Sequence, residues 1–290
     1  MSDETNGNVP SKAYAPVEDP ELGAKDGKTA KLKIFRGDAE GGEEVEYELP
    51  LVEGMVVLDA VLYIQAHQAS DLAVRWNCKA AHCGSCSAEI NGRPKLMCKT
   101  RVEEYEGGEI RVHPLRAFPV IKDLVSDVSW NYEVSRKITP FTTSQEAPFT
   151  MYEEDVERLY EPKKCIECFM CQDVCHVLRT HHKHAQFSGP RFFVRNQWLE
   201  MHPMDEANRL EELKEKDGLG FCNITKCCTE VCPVDIHITD NSIIPLKERV
   251  ADEYYDPAKW LMRKIRGNGG RNRGTGPRPE HARAEIRTNG

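Results

Sequence analysis

The sequence has no long apolar run. Its longest apolar stretch, residues 56–64, is broken by Asp59, whereas a membrane-spanning helix needs about 18 to 20 apolar residues. The first twelve residues, MSDETNGNVPSK, also lack the basic start and apolar core of a secretory signal peptide. We therefore expect a chain that does not cross a bilayer, is not exported and folds in a reducing compartment.

An excess of positive charge is absent too. The 290 residues include 39 Lys and Arg against 47 Asp and Glu, a formal net charge of −8. Domains that bind nucleic acid are usually basic, so this composition argues against a nucleic-acid partner. The length suits one large or two modest domains, each able to bury a hydrophobic core without the help of disulfide bonds.

What the sequence does have is twelve cysteines. In a reducing compartment, cysteines are rarely paired as disulfides and more often bind metal or carry out chemistry. The spacing of these cysteines is therefore the most informative feature of the chain.

The patterns between the cysteines predict an α+β protein. Residues 31–36 and 43–49 alternate as strands do, residues 56–68 have helical spacing, and residues 87–90, 95–97 and 110–113 are patterned as short strands. Two strands, a helix and further strands predict a β-grasp domain. From residue 155 onward, helical patterns separate the cysteine clusters and predict a mostly α-helical second domain.

We predict four segments with these boundaries. Residues 1–30 are polar and rich in Pro, Gly and acid, and form a flexible arm. Residues 31–135 form the β-grasp domain and residues 136–262 the α-helical domain. Residues 263–290 form a tail with eight Arg and Lys against two Glu, which is either a disordered basic end or a contact for anionic lipid or an acidic partner.

The first cysteine group has the spacing C-x4-C-x2-C, formed by Cys78, Cys83 and Cys86, and eleven residues separate Cys86 from Cys98. This spacing is typical of plant-type [2Fe-2S] ferredoxins. The small residues Gly and Ser between the second and third cysteines would let the backbone wrap a cluster and aim N–H groups at its sulfurs. A zinc site also takes four cysteines but usually pairs two C-x2-C units, so the spacing favours iron and sulfur.

Two further groups have the spacing of bacterial ferredoxins, C-x2-C-x2-C-x3-C. The first copy is complete, and the second, followed by Pro233, has Thr225 where its second cysteine would stand. In such pairs the fourth cysteine of each motif binds the other cluster. The exchange predicts a [4Fe-4S] site made by Cys165, Cys168, Cys171 and Cys232, and a three-thiolate [3Fe-4S] site made by Cys175, Cys222 and Cys228.

Cys227 is the twelfth cysteine and has no place in these sets. It is either a buried free thiol beside the third cluster or a ligand that reaches the vacant position and makes that cluster [4Fe-4S]. Three clusters without an evident open substrate position indicate a path for electrons rather than a catalytic centre.

These motifs together resemble the iron–sulfur subunit of succinate dehydrogenase and fumarate reductase, over about residues 30–262. The motifs that carry the resemblance begin at Cys78 (CKAAHCGSC), Cys165 (CIECFMCQDVC) and Cys222 (CNITKCCTEVCP). The resemblance implies a flavoprotein partner that holds covalent FAD and the succinate site, so this chain has no catalytic residue of its own. It also implies membrane-anchor subunits, a membrane quinone such as menaquinone, and a peripheral position on the cytoplasmic face of the inner (plasma) membrane. Electrons would pass from [2Fe-2S] to [4Fe-4S], then to [3Fe-4S] and the quinone.

The chain differs from familiar members where the quinone is usually held. His176 follows Cys175 in place of Pro, and Asn223 follows Cys222 in place of His. We take His176, Asn223 and Thr225 as the candidates for residues beside the quinone.

Three alternatives remain open from the sequence. The complex could work in reverse as a fumarate reductase. The chain could serve another flavoprotein oxidoreductase, although the cysteine-rich extension of thiol-dependent fumarate reductases is absent after Cys232. It could also be a zinc-binding interaction module without redox activity.

Overall fold

The computed structural model describes residues 28–105, 108–257 and 261. The predicted basic tail, residues 263–290, lies outside the described residues, as does the predicted arm except for residues 28–30. No helix in the described part of the chain has the length and apolar character needed to cross a membrane.

The first domain is a mixed sheet packed against one helix. Its elements are β1 (Thr29–Asp38), β2 (Gly41–Pro50), α1 (Val57–His67), β3 (Ser87–Ile90), β4 (Arg93–Leu96) and β5 (Ile110–His113), with a 3-10 helix, Val102–Tyr105, before β5. Within the described residues the strand order is β2-β1-β5-β3-β4. The pair β1–β5 is parallel and the other neighbouring strands are antiparallel.

The core of this domain follows from the alternation that the sequence shows. Leu32 and Ile34 of β1 are fully buried, and they share one hydrophobic core with Leu58, Val61 and Ile64 of α1. Burial of such side chains contributes about 1.5 to 3 kcal/mol each. Buried side chains recur every second residue in the strand and about every 3.6 residues in the helix, so the apolar faces of β1 and α1 pack together on one side of the sheet.

The segment between β5 and the helices of the second domain, residues 114–152, joins the two domains. It contains β6 (Val120–Lys122), β7 (Val125–Ser126) and α2 (Ser129–Lys137). Helix α2 contacts the second domain, because Asn131 accepts a hydrogen bond from Gln172 at 3.3 Å and Ser135 Oγ accepts one from Arg191 at 3.1 Å.

The second domain consists of helices and the loops that carry cysteines. Its helices are α3 (Glu153–Lys163), α4 (Met170–Asp173), α5 (His176–Arg179), α6 (Pro190–Glu200), α7 (Leu210–Glu215), α8 (Cys227–Glu230) and α9 (Ile244–Tyr254). A π-helical segment, Ile238–Ile243, runs directly into α9. The predicted α+β class, with a β-grasp domain first and a helical domain second, is confirmed.

Arg209 fixes the chain before α3 to this domain. Its side chain is fully buried and forms ion pairs with Glu200 at 3.3 Å and Asp205 at 2.8 Å. It also donates hydrogen bonds to the carbonyl oxygens of Thr139 at 2.7 Å and Pro140 at 2.8 Å. These bonds therefore hold the segment that follows α2 against the second domain.

The two domains pack directly on each other. Met170 of α4 is buried in the hydrophobic core of the first domain. The N–H of Ala117 donates to Asp173 Oδ1 at 2.9 Å, and Lys99 Nζ donates to the carbonyl oxygen of Pro233 at 3.2 Å. The cysteine-bearing loops of both domains lie at this contact.

Candidate metal centres

The first cysteine group lies at one end of the β3–β4 hairpin. The loop after α1 carries Cys78 and Cys83, Cys86 directly precedes β3, and Cys98 follows β4. Because β3 and β4 pair from Ser87 with Leu96 onward, the hairpin brings Cys86 and Cys98 together, and the N–H of Met97 donates to the Cys86 carbonyl at 3.1 Å.

Backbone N–H groups point at the sulfurs of this loop. The N–H groups of Ala80 and His82 donate to Cys78 Sγ at 3.4 and 3.3 Å, and that of Cys78 donates to Cys83 Sγ at 3.5 Å. Lys79 and Ala81 have left-handed backbones, with φ of 54° and 59°. Where left-handed and right-handed residues alternate, successive N–H groups turn to one side and form a site for negative charge. His82 thus contributes its backbone to the sulfur contacts.

The thiols of this group influence one another. Burial raises the pKa of Cys86 to about 12, and the neighbouring Cys98 and Cys83 sulfurs contribute to the rise. Burial also acts to raise the pKa of Cys83, but hydrogen bonds from Ser85 and from Cys78 outweigh it and lower this pKa to about 6. A metal binds the thiolate form and displaces such protons.

The second group includes Cys232, which belongs to the later of the two ferredoxin-type motifs. Burial raises the pKa of Cys168 to about 12, with smaller contributions from the nearby thiols of Cys165 and Cys232. The pKa of Cys171 is raised well above its usual range by burial and by Cys168, Cys165, Cys228 and Cys232. The N–H of Ile236 donates to Cys232 Sγ at 3.3 Å. Cys232 therefore lies with the first three cysteines of the earlier motif.

The third group gathers the remaining cysteines. Burial, with contributions from the thiols of Cys227 and Cys228, raises the pKa of Cys175 to about 12 against the effect of hydrogen bonds from the first backbone N–H groups of α5. Burial raises the pKa of Cys228 to about 11, with Cys227 and Cys222 as its neighbouring thiols. The Cys227 thiol thus lies beside the cysteines predicted for this site, a position that both interpretations of this surplus cysteine expect.

Both ferredoxin-type motifs adopt the same backbone. Glu167 and Phe169 have φ of 56° and 60°, and the corresponding Ile224 and Lys226 have φ of 62° and 63°. In each motif the second of these residues immediately precedes a short helix, α4 or α8. Left-handed conformations cost about 1 kcal/mol or more for residues with side chains, so their repetition indicates a backbone that is held around a bound group.

The quinone candidates border the third group. His176 begins α5 and is half-buried, with its ring 6.1 Å from that of His181. Asn223 and Thr225 are exposed in the loop between Cys222 and α8. Two exposed apolar side chains lie next to them in the chain: Phe221 precedes Cys222, and Ile224 stands between Asn223 and Thr225.

A buried charged cluster was not foreseen from the sequence. Glu89 of β3 is fully buried and forms ion pairs with Arg179 at 2.9 Å and Arg116 at 3.0 Å. Burial and the adjacent Asp173 carboxyl raise the pKa of Glu89 to about 7, although the two arginines act to lower it. In the sequence, the signal for this buried cluster is an acidic residue directly before Ile90 in a predicted strand.

The donor set fits iron–sulfur clusters. All twelve cysteines lie within the described residues and are free thiols, and they form sulfur-rich groups with backbone N–H donors aimed at sulfur. The described residues contain no group of three or more His, Cys, Asp or Glu arranged to hold a single metal ion. A cluster, by contrast, distributes its thiolates over several irons.

Comparisons with known proteins agree with this arrangement. A model described as a 2Fe-2S iron-sulfur cluster binding domain matches residues 31–133, and one described as a 4Fe-4S dicluster domain matches residues 161–236. A chain of the Mycobacterium smegmatis Sdh1 complex in the apo form is 56% identical, with a TM-score of 0.77, covering 79% of this chain and 98% of that chain.

Sequence relatives point to the same family. The fumarate reductase iron-sulfur subunit of Mycobacterium tuberculosis is 32% identical over 195 residues, which cover 64% of this chain and 78% of that protein. The corresponding fumarate reductase iron-sulfur subunit of Haemophilus influenzae is 30% identical over 205 residues, with the same coverage of 64% and 78%. With [2Fe-2S] and [4Fe-4S] domains present and a third cysteine group consistent with the [3Fe-4S] cluster typical of these relatives, the chain belongs to the family of iron–sulfur electron-transfer subunits of succinate dehydrogenase and fumarate reductase, in which the catalytic site is on the flavoprotein.

Proposed function

We propose that this chain carries electrons from a succinate-oxidising FAD flavoprotein to a membrane quinone. The observation that supports it best is the contact between successive cysteine groups. A Cβ atom on Gly84, in the first group's loop, would lie 2.6 Å from the Cα of Cys168 in the second. Cys171 of the second group has the Cys228 thiol of the third as a neighbour. The three groups thus form one continuous series.

The proposal assigns each cluster its ligands. The [2Fe-2S] cluster binds to Cys78, Cys83, Cys86 and Cys98, the [4Fe-4S] cluster to Cys165, Cys168, Cys171 and Cys232, and the [3Fe-4S] cluster to Cys175, Cys222 and Cys228. The interactions of Cys232 with the second group and of Cys175 with the third support the exchange of fourth cysteines.

The partners follow from this order. As part of an Sdh or Frd complex, the chain assembles with a flavoprotein and membrane-anchor subunits. In our proposal the flavoprotein lies nearest the first group, and a quinone such as menaquinone lies nearest the third, bordered by His176, Asn223 and Thr225. The exposed apolar Phe221 and Ile224 in this region support contact with an apolar partner. The cytoplasmic face of the membrane and domain limits at 31–135 and 136–262 belong to the same proposal.

Succinate oxidation is the direction we favour over fumarate reduction. The chain is 56% identical to the chain of the Sdh1 complex and 32% identical to the fumarate reductase subunit of M. tuberculosis. The difference supports the dehydrogenase as the nearer of these two relatives.

The test is low-temperature EPR spectroscopy of the chain isolated with its native membrane partners. Succinate should reduce the clusters, and quinone should reoxidise them. Metal analysis should give about nine irons per chain and no stoichiometric zinc. Reduction by dithionite but not by succinate would show that another donor is used, and zinc in place of iron would overturn the proposal.

A further inference from the structure

We propose that Cys227 is a fourth thiolate ligand at the third cluster site, which can therefore hold a [4Fe-4S] cluster as well as a [3Fe-4S] cluster. The inference deepens the proposed function and rests on it, because it requires an iron–sulfur cluster at this site.

The first observation is where the Cys227 sulfur lies. Thr225 stands at the position in the motif where a second cysteine would bind the fourth iron. Its Oγ1 is 3.3 Å from Cys227 Sγ. The thiol of Cys227 is therefore beside the side chain that replaces the missing ligand.

The second observation is that Cys227 belongs to the third group rather than standing apart from it. Its thiol is a neighbour of both Cys175 and Cys228, and Cys228 in turn has Cys222 as a neighbour. Cys227 is half-buried, with a burial comparable to that of Cys222. Four thiols thus surround this site, which is the number that a [4Fe-4S] cluster takes.

Cys227 occupies a backbone position that the two ferredoxin-type motifs share. Lys226 has φ of 63°, and α8 begins at Cys227 immediately after it. The corresponding position of the earlier motif has Met170, which is buried in the core of the first domain. The same backbone position is therefore occupied by a packing residue in one motif and by a thiol in the other.

The conversion balances with ferrous iron and one electron as its co-reactants. Cys227 loses its proton to solvent, and its thiolate binds one Fe2+ at the open corner of the reduced core, so that [3Fe-4S]0 plus Fe2+ gives [4Fe-4S]2+. The electron that reduces the three-iron core comes from succinate or dithionite. One-electron oxidation of [4Fe-4S]2+ reverses the change, releasing Fe2+ and leaving [3Fe-4S]+, after which Cys227 takes up a proton.

A free thiol that only hydrogen-bonds Thr225 is the competing arrangement, and cluster type distinguishes the two. The intact complex is reduced with dithionite under anaerobic conditions, incubated with ferrous ammonium sulfate, then washed and oxidised mildly. EPR and Mössbauer spectroscopy record the three-iron signal and the iron count before and after. We expect the wild-type complex to lose most of its three-iron signal and to regain it after oxidation with ferricyanide.

Four variants complete the design. Cys227→Ser and Cys227→Ala should keep the full three-iron signal after incubation with iron. Thr225→Val removes the hydroxyl but keeps the thiol, so it should still convert. Thr225→Cys, with a cysteine at the usual motif position, should contain a four-iron cluster from the outset and serves as the spectroscopic reference.

The outcomes separate this inference from the proposed function. The inference would be overturned if Cys227→Ala and the wild type converted to the same extent. It would also be overturned if the four-iron cluster appeared in Thr225→Cys and in none of the other proteins. A wild-type complex isolated with four irons at this site, and Cys227→Ala with three, would support it. Absence of any cluster signal from this site in all the proteins would overturn the proposed function itself.

Discussion

Gly84 lies so close to Cys168 that a Cβ atom at Gly84 would be 2.6 Å from the Cα of Cys168 and 2.7 Å from its Cβ. The φ of Gly84 is +69°, a conformation that residues with side chains rarely adopt. The loops of the first and second cysteine groups therefore touch through their backbones. Their separation is set by the fold and not by flexible side chains.

Gly84→Ala should push these loops apart. The left-handed backbone costs about 1 kcal/mol with Ala, and the forced shift of backbone atoms adds about 1 to 3 kcal/mol. We expect a lower Tm and slower transfer from the [2Fe-2S] cluster to the next one. Freeze-quench EPR after addition of succinate would measure this as reduced [2Fe-2S] that accumulates before the later clusters.

Gly92→Ala is the matched control for this change. Gly92 has φ of +78°, but a Cβ atom there would meet nothing within 4 Å. The variant should show the conformational cost alone and transfer electrons at the wild-type rate. Equal behaviour of the two variants would mean that contact with Cys168 is unimportant.

Cys232→Ser should damage the [4Fe-4S] cluster although Cys232 belongs to the third motif in sequence. The reason is its position among the thiols of Cys165, Cys168 and Cys171. EPR of the dithionite-reduced complex should lose the four-iron signal. Cys228→Ser, in the same motif, should affect the third cluster first. Loss of the third cluster alone in Cys232→Ser would contradict the assigned ligand exchange.

Glu89→Gln should alter how stability depends on pH. Burial raises the pKa of Glu89 to about 7 from an ordinary value of 4.5, so the folded protein keeps a proton that the unfolded chain releases between these values. The contribution of Glu89 to stability is therefore fully present below about pH 4.5 and declines as the pH rises toward 7, by at most about 1.4 kcal/mol per pH unit.

The measurement is the apparent Tm of the wild-type and variant complexes from pH 5 to pH 8. The difference between the two should narrow or reverse in favour of Gln as the pH rises. Glu40→Gln, exposed in the β1–β2 turn, should follow the wild type. Parallel curves for wild type and Glu89→Gln would show that Glu89 does not hold this proton.

Arg209→Ala should destabilise the second domain by about 3 to 5 kcal/mol, because it removes the cation paired with buried Asp205, leaves buried Glu200 with its Arg249 ion pair, and removes the donor to two carbonyl groups. Thermal unfolding of the complex would report this as a large fall in Tm. Arg158→Ala is a suitable comparison, since Arg158 is exposed and its ion pair with Asp155 spans 3.8 Å; its cost should stay below about 0.5 kcal/mol.

The sequence was sufficient for those features that depend on local period and spacing. Even the acid that interrupts its longest apolar run has a helical role: Asp59 lies in the first turn of α1 and accepts a hydrogen bond from the N–H of Val56 at 3.4 Å. The order of β1, β2 and α1 in the first domain was likewise readable, because each of these elements has one buried face.

Other features depend on contacts across the chain and gave no local signal. Phe169 has φ of 60° although bulky residues rarely adopt it. Glu89 is fully buried because Arg179, from a distant segment, neutralises it. Arg209 is fully buried because it pairs with Asp205 nearby in sequence and donates to the distant carbonyl oxygens of Thr139 and Pro140, whereas charged residues are usually exposed. Cys227 was readable as a surplus cysteine, but its nearness to Thr225 and Cys175 required the folded chain.

The position of Cys232 also bears on how the protein is made. A ribosome synthesises Cys165, Cys168 and Cys171 long before the cysteine that lies beside them in the folded chain. With the ligands assigned above, the machinery that delivers clusters meets an incomplete site until nearly the whole second domain has left the exit tunnel. A chain that terminates before residue 232 therefore lacks one of the four ligands assigned to the middle cluster.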